Sequence, residues 1–254
     1  MLDRVLSFFF PDRCFTCDEV MLHRKDGFHL CKDCTEKLEP LQVVHACPLC
    51  GRPDPFDDDY CEICLSHGRK FDRALTCFSY EEPIRRYILH YKFNGRRDYV
   101  RPFSVLLYRR LLPELTNQNF DMIVYPPMTK KSYNERGYNQ SELLSKALSG
   151  QTEIPCCGDA FLKIKETPKQ STLNYLDRKK NVDKAFALNR PRETFRKKNI
   201  LLVDDVFTTG ATAEALSKLL KTAGAASVTV LTLASPMQRE EYRFDPQDEL
   251  DIMF

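Results

Sequence analysis

Residues 200–213 read ILLVDDVFTTGATA and concentrate the side chains best suited to chemistry. Two adjacent acids, Asp204 and Asp205, follow four apolar residues, Ile200 to Val203. Hydroxyls and a glycine come next: Thr208, Thr209, Gly210 and Thr212. Leu216, Leu219, Leu220 and Ala223 then recur at helical spacing. The apolar run predicts a buried parallel strand. The order is strand, acidic pair, Thr/Gly loop, helix, and it makes an anion cradle. Amides at a helix N-terminus lack partners, and the helix dipole favours negative charge there. Gly210 lets the main chain come close to a ligand, and the threonine hydroxyls add donors. The two carboxylates would hold sugar hydroxyls or a metal-bound ligand beside the phosphate, where open α/β sheets bind ligands. The plain alternative is a βα turn with a capping threonine, and the complete array favours the phosphate site. No Gly-Lys-Ser/Thr ends the loop, so it is not a Walker loop, and the three-glycine dinucleotide pattern is absent.

A second constellation begins at Pro126, PPMTKKSYNERGYNQSELLSKAL. Lys130, Lys131 and Arg136 fall in an expected loop, followed by Gly137, Tyr138, Asn139 and Gln140 at a helix start. A basic loop before a helix N-terminus suits pyrophosphate. A solvated loop with Asn139 as helix cap fits the same residues.

Eight of the eleven cysteines form four Cys-x-x-Cys pairs: Cys14/Cys17, Cys31/Cys34, Cys47/Cys50 and Cys61/Cys64. Each pair offers two thiolates from one tight turn, which is half of a tetrahedral zinc site. Two sequential ribbons follow, Cys14-Cys17-Cys31-Cys34 and Cys47-Cys50-Cys61-Cys64. Interleaved pairing, first with third and second with fourth, stays open. Four thiolates leave no free coordination position, so both zinc ions would be structural and supply folding energy to a segment too short for its own core. His45 and His67 lie nearby and are expected at the surface. Cys77, Cys156 and Cys157 are expected as core or loop thiols.

These residues need elements to position them. Ala74–Tyr80 predicts a strand, Ile84, Ile88 and Tyr91 a helix face, Leu106–Leu115 a helix, and Met122–Tyr125 a strand. Leu143, Leu144, Ala147 and Leu148 mark a helix, and Val228–Ala234 a strand. Strands alternating with helices imply a parallel sheet with helical crossovers. The chain divides into a double ribbon (1–68), a linker near Ser66–Arg73, an α/β domain (74–236) and a charged tail (237–254).

The chain has 254 residues, 43% of them hydrophobic, and a net charge of +2, so overall charge names no partner. Basic residues cluster between Arg85 and Arg101, with Tyr87, Tyr91 and Phe93 interleaved, and again between Lys163 and Lys198. Such clusters bind phosphates or nucleic acid, or solvate a face. No run is long enough to span a membrane. The run Leu6–Phe10 is too short for a signal-peptide core and is broken by Pro11. Phe8–Phe10 are expected to pack on the body of the protein. A cytoplasmic location is expected, with thiols reduced.

The stretch from Asp204 to Thr212 resembles the signature of type I phosphoribosyltransferases, which bind 5-phosphoribosyl-1-pyrophosphate (PRPP). Several features together resemble the ComF family, the competence protein F or GntX-like group: the cysteine array, Tyr91-Lys92-Phe93, Arg136-Gly137-Tyr138-Asn139-Gln140, Gln170, Arg178, Asn181, Ala185 and Phe186. The likeness covers Phe10 to Ala234. It implies a double zinc ribbon joined to an α/β phosphoribosyltransferase-like fold, a parallel sheet flanked by helices. It also implies that Asp204 and Asp205 hold the ribose hydroxyls of PRPP and that Thr208, Thr209, Gly210 and Thr212 hold its 5′-phosphate. Lys130 and Arg136 would grip pyrophosphate, with Mg²⁺ bridging the ligand oxygens. As an enzyme, the chain would break the bond from C1 to pyrophosphate, with Arg136, Asp204 and Asp205 catalytic, in nucleotide metabolism. Some members serve natural transformation, which implies single-stranded DNA and a competence helicase or other DNA-processing protein as partners. A PRPP-sensing or DNA-binding module without catalysis is the other function implied. No base-selective segment is recognisable, so the acceptor stays open.

Overall fold

The computed structural model describes residues 13–17, 19–21, 30–54, 59–165 and 185–237. The expectations for Phe8–Phe10, Gln170, Arg178, Asn181 and the tail beyond 237 lie outside the described residues, as do Lys169, Lys179, Lys180 and Lys184 of the second basic cluster. In chain order the elements are α1 (Lys32–Leu38), α2 (Glu62–His67), β1 (Arg73–Ser79), α3 (Ile84–Phe93), α4 (Val100–Leu115), β2 (Met122–Val124), α5 (Lys130–Arg136), α6 (Gln140–Thr152), β3 (Phe161–Lys163), β4 (Phe186–Leu188), β5 (Asn199–Val206), α7 (Ala211–Thr222) and β6 (Ser227–Ser235).

Four strands form a parallel sheet in the order β1-β6-β5-β2, and β3 and β4 make a separate antiparallel pair. Strand alternation divides the core. On β5, Leu201 and Val203 enter one cluster with Tyr91, Phe103, Leu107 and Leu144 of α3, α4 and α6. Ile200 and Leu202 enter the other with Leu216 and Leu220 of α7. A strand buried on both faces reads as a continuous apolar run, which is why Ile200–Val203 is legible as one.

The two ribbons pack on different sides of this sandwich. Cys14, Phe15, Leu30 and Leu38 join the cluster of α3 and α4. Phe15 sits edge-on to Tyr87, Tyr99 and Phe103 at 6.0, 5.3 and 5.8 Å. Burying such a ring contributes roughly 2 kcal/mol. Cys47, Cys50, Cys61 and Cys64 instead join the cluster of α7 with Phe71 and Phe207.

The basic stretch after β2 differs from the expected loop. Residues 130–136 are helical: Thr129 caps the start by accepting from the Ser132 amide, and Gly137 closes it at φ +75°. This helix buries none of its residues, so it carries no apolar period to announce it. Among the described residues no helix is long and apolar enough to cross a membrane.

Candidate functional site

Parallel pairing brings the C-terminal ends of β2 and β5 to one edge, with Val124 opposite Leu202. The chain leaves β5 through Asp204 and Asp205, turns through Thr208–Gly210, and enters α7. Gly210 has φ +76°, and a Cβ there would lie 2.3 Å from the Phe207 ring, so the turn admits glycine alone. Asp204, the Phe207–Ala213 stretch and Thr232 line a cavity of about 140 Å³. Asp204 and the Thr/Gly loop therefore face one space, the helix start opens on it, and Asp205 lies outside its lining.

The acids are held differently. Asp204 Oδ1 accepts from the Ser141 hydroxyl at 2.7 Å and from the Asp205 amide at 2.9 Å. Burial pushes its carboxyl up to about 7, the Asp205 charge adds to the push, and the Ser141 hydroxyl opposes it. Asp205 is buried and pairs with the Lys92 ammonium at 2.9 Å. Sequence reasoning did not place Lys92 or Ser141 in the site. Their signal was the strings that contain them, Tyr91-Lys92-Phe93 and the residue after Gln140.

Those two strings turn out to hold one another. The Tyr91 hydroxyl donates to the Gln140 carbonyl at 2.9 Å, and the Gln140 side-chain amide donates to the Lys92 carbonyl at 3.1 Å. The Tyr138 hydroxyl donates to the Tyr91 carbonyl. Asn139 caps α6 through the Ser141 and Glu142 amides and anchors to the Pro126 carbonyl. Tyr138, Asn139 and Gln140 are thus buried scaffolding that sets Lys92 and Ser141 against the acids. Arg136 stays partly exposed with its guanidinium 4.6 Å from the Phe93 ring, next to Lys92. Lys130 is exposed at the start of α5.

The basic-aromatic surface requires a correction. Tyr87 and Tyr91 are buried among Phe15, Tyr99 and Phe103, so neither ring is available to stack on a base. Arg96 pairs with Asp98 at 2.8 Å, and Arg97 donates to the Gly137 carbonyl.

The cysteines fall into two groups of four, Cys14, Cys17, Cys31, Cys34 and Cys47, Cys50, Cys61, Cys64, with the ligand atoms of each within 4.8 Å of one another. This is the sequential grouping. Cys17 and Cys31, and likewise Cys50 and Cys61, have sulfurs 3.6 Å apart. Tetrahedral zinc with thiolates at ~2.3 Å places sulfurs ~3.8 Å apart, so both clusters fit a structural zinc ion. Cys31 and Cys61 also cap α1 and α2. His45 and His67 are exposed, and both sets are complete without them. Cys77 is buried on β1, whereas Cys156 and Cys157 are partly exposed beside β2.

Comparison with known proteins agrees with this division. Residues 5–67 match the double zinc ribbon domain, and residues 106–251 match the phosphoribosyl transferase domain. The chain is 30% identical to Competence protein F of Haemophilus influenzae, over 89% of this chain and 98% of that one. It is 32% identical to the DNA utilization protein YhgH of Escherichia coli, over 88% of this chain and 96% of that one. Competence protein ComFC of Bacillus subtilis is 27% identical, over 80% of this chain and 83% of that one.

Proposed function

We propose, from the premise that this chain belongs to the competence protein F family, that its α/β unit binds PRPP with Mg²⁺ and acts in the handling of incoming DNA. The carrying observation is the convergence of Asp204, the Thr208–Thr212 loop and the start of α7 on one cavity, with Asp205 next to Asp204 at the strand end. The ribbon unit is taken as 1–68, the α/β unit as 74–236 and the tail as 237–254.

Asp204 and Asp205 would accept from the ribose hydroxyls, and the loop amides with the Thr208, Thr209 and Thr212 hydroxyls would hold the 5′-phosphate. Lys130 and Arg136 would face pyrophosphate from the neighbouring α5. Carboxylate oxygens are hard donors that suit Mg²⁺, and the crowding that pushes Asp204 up to about 7 is what a nearby cation relieves. Magnesium would neutralise pyrophosphate charge when bound with PRPP. In catalysis Arg136 would stabilise the charge that develops on departing pyrophosphate. A sensing role uses the same contacts without bond cleavage.

PRPP consumption and pyrophosphate release, followed with and without single-stranded DNA, separate the two roles. Calorimetry with PRPP and Mg²⁺ tests the site itself. Losing charge-assisted bonds at ~1.5–3 kcal/mol each, Asp205→Ala should bind at least about tenfold more weakly. Equal affinity in both proteins would overturn the placement. Nucleic-acid binding rests on the names of the relatives and on the basic clusters. Fluorescence anisotropy should show single-stranded DNA affinity that falls steeply with salt, because phosphate contacts release counterions.

A further inference from the structure

The second zinc ribbon and the linker that follows it touch the phosphate loop at two points and α7 at a third. Arg52, directly after the Cys47–Gly51 knuckle, is buried, and its Nη2 donates to the Thr208 carbonyl at 2.8 Å. Arg69 Nη1 donates to the Thr209 carbonyl at 3.4 Å, while its Nε donates to the Cys64 sulfur at 3.4 Å. The Lys70 amide donates to Glu214 Oε2 at 3.1 Å, and Glu214 lies in the first turn of α7. The knuckle is fixed to the sheet by the Ala74 amide, which donates to the Leu49 carbonyl at 2.8 Å. Its Gly51 fits so closely that a Cβ would lie 2.4 Å from the Ala74 carbonyl oxygen. Phe71 packs edge-on to Phe207 at 5.9 Å, and the Arg69 guanidinium lies 5.8 Å from each ring.

A trans peptide points its carbonyl and the following amide in opposite directions. The peptides of Thr208–Thr209 and Thr209–Gly210 are trans. Holding the Thr208 and Thr209 carbonyls toward the ribbon therefore turns the Thr209 and Gly210 amides away from it. Among the described residues nothing accepts from those two amides. Thr208, Thr209 and Gly210 line the cavity, whereas Arg52 and Arg69 do not.

We infer that Arg52 and Arg69 are positioning residues, through which the second zinc ribbon holds the phosphate-loop amides in the orientation that receives a phosphate. This rests on the PRPP reading of the site for its ligand, though not for the loop geometry. A buried guanidinium is expensive unless a fixed dipole faces it, and here the loop carbonyls supply that dipole. The brace makes the ribbon part of the binding site although it touches no ligand. Zinc at Cys47, Cys50, Cys61 and Cys64 would act on PRPP affinity through the same contacts, because Arg69 bonds one of those sulfurs.

The test uses the full chain with both zinc sites filled, checked by elemental analysis. Arg52→Met keeps the bulk of the side chain and removes the donor, while Arg52→Lys keeps a cationic donor. Hydrogen exchange is read on the peptide spanning residues 207–213, without any ligand. Arg52→Met should raise exchange in that peptide at least about tenfold, leave β5 and β6 protected, and keep two zinc per chain. Arg52→Lys should recover most of the protection, which loss of packing alone would not allow. PRPP affinity should fall roughly tenfold in Arg52→Met and less than threefold in Arg52→Lys. Unchanged exchange in zinc-loaded Arg52→Met overturns the brace, as does equal loss in the lysine variant. If Arg52→Met fails to retain zinc, Arg69→Met is read by the same exchange and the same criteria apply. Wild-type protein that ignores PRPP would overturn the ligand reading, and the exchange arm would still decide the brace.

Discussion

Replacing Asp204 by asparagine should stabilise the protein at alkaline pH and, under the proposed function, weaken PRPP binding. Burial pushes the Asp204 carboxyl from 3.8 up to about 7, helped by the Asp205 charge and opposed by Ser141 and Lys92. Below 3.8 the group is protonated in folded and unfolded chains alike, and the fold loses nothing. As pH rises the unfolded chain gives up the proton first. Stability falls until the folded carboxyl ionises near 7, and the full penalty remains above that. A displacement of this size sets an upper bound of roughly 4 kcal/mol, which solvent reaching the half-buried carboxyl from the cavity lowers. Asparagine keeps an oxygen for the two groups that bond Asp204 Oδ1, the Ser141 hydroxyl at 2.7 Å and the Asp205 amide at 2.9 Å. It carries no charge to desolvate. Asp204→Asn should therefore exceed wild type by roughly 2–4 kcal/mol at pH 8 and by little near pH 4. Urea titrations of zinc-loaded protein at the two pH values measure this, with equal m-values as the check on cooperativity. No gain at pH 8, or the same gain at both pH values, would refute a half-buried ionised carboxylate held at a cost to stability.

The same carboxyl gives binding a pH dependence. A ligand that needs ionised Asp204 should bind about tenfold more tightly at pH 8 than at pH 6, as calorimetry with PRPP and Mg²⁺ would read, and a flat profile would argue against its contact with Asp204. Gly210→Ala meets both a positive φ and the Phe207 ring, so it should cost more than about 1 kcal/mol by denaturant titration and weaken PRPP binding at least tenfold. Elemental analysis should find close to two zinc per chain, and about one after Cys61→Ser, with the sheet still folded by circular dichroism.

The parts of the fold that could be read in advance are those whose signal is local. Ile200–Val203 announces its strand because both of its faces are buried. The four thiol pairs announce two metal sites because each turn is a half-site in itself, although only the fold settles that they group in sequence. Lys130–Arg136 hid its helix because a polar helix has no apolar period, and its evidence lay in the caps at Thr129 and Gly137. Lys92 and Ser141 hid their roles because both meet the acids across long stretches of chain. Tyr87 and Tyr91 look like a stacking surface in a string of basic residues, but both rings are buried and the Tyr91 hydroxyl has a main-chain partner inside. Arg52 and Arg69 carry no local signal for the same reason: their partners Thr208 and Thr209 lie far along the chain.

The strand order β1-β6-β5-β2 also sets a timetable for synthesis. β1 is made well before its hydrogen-bonded neighbour β6, the last strand among the described residues, with Thr76 meeting Thr232 at 3.3 Å. At ~5–20 residues per second, β1 waits on the order of ten seconds or more for its partner. For that interval its apolar face and unpaired edge are open to other chains. The cysteine clusters both close before β1 begins, so zinc can order the chain on its leading side while the sheet is unfinished. A cell short of zinc would then lose this protein chiefly to aggregation of nascent chains, and much less by unfolding of finished molecules.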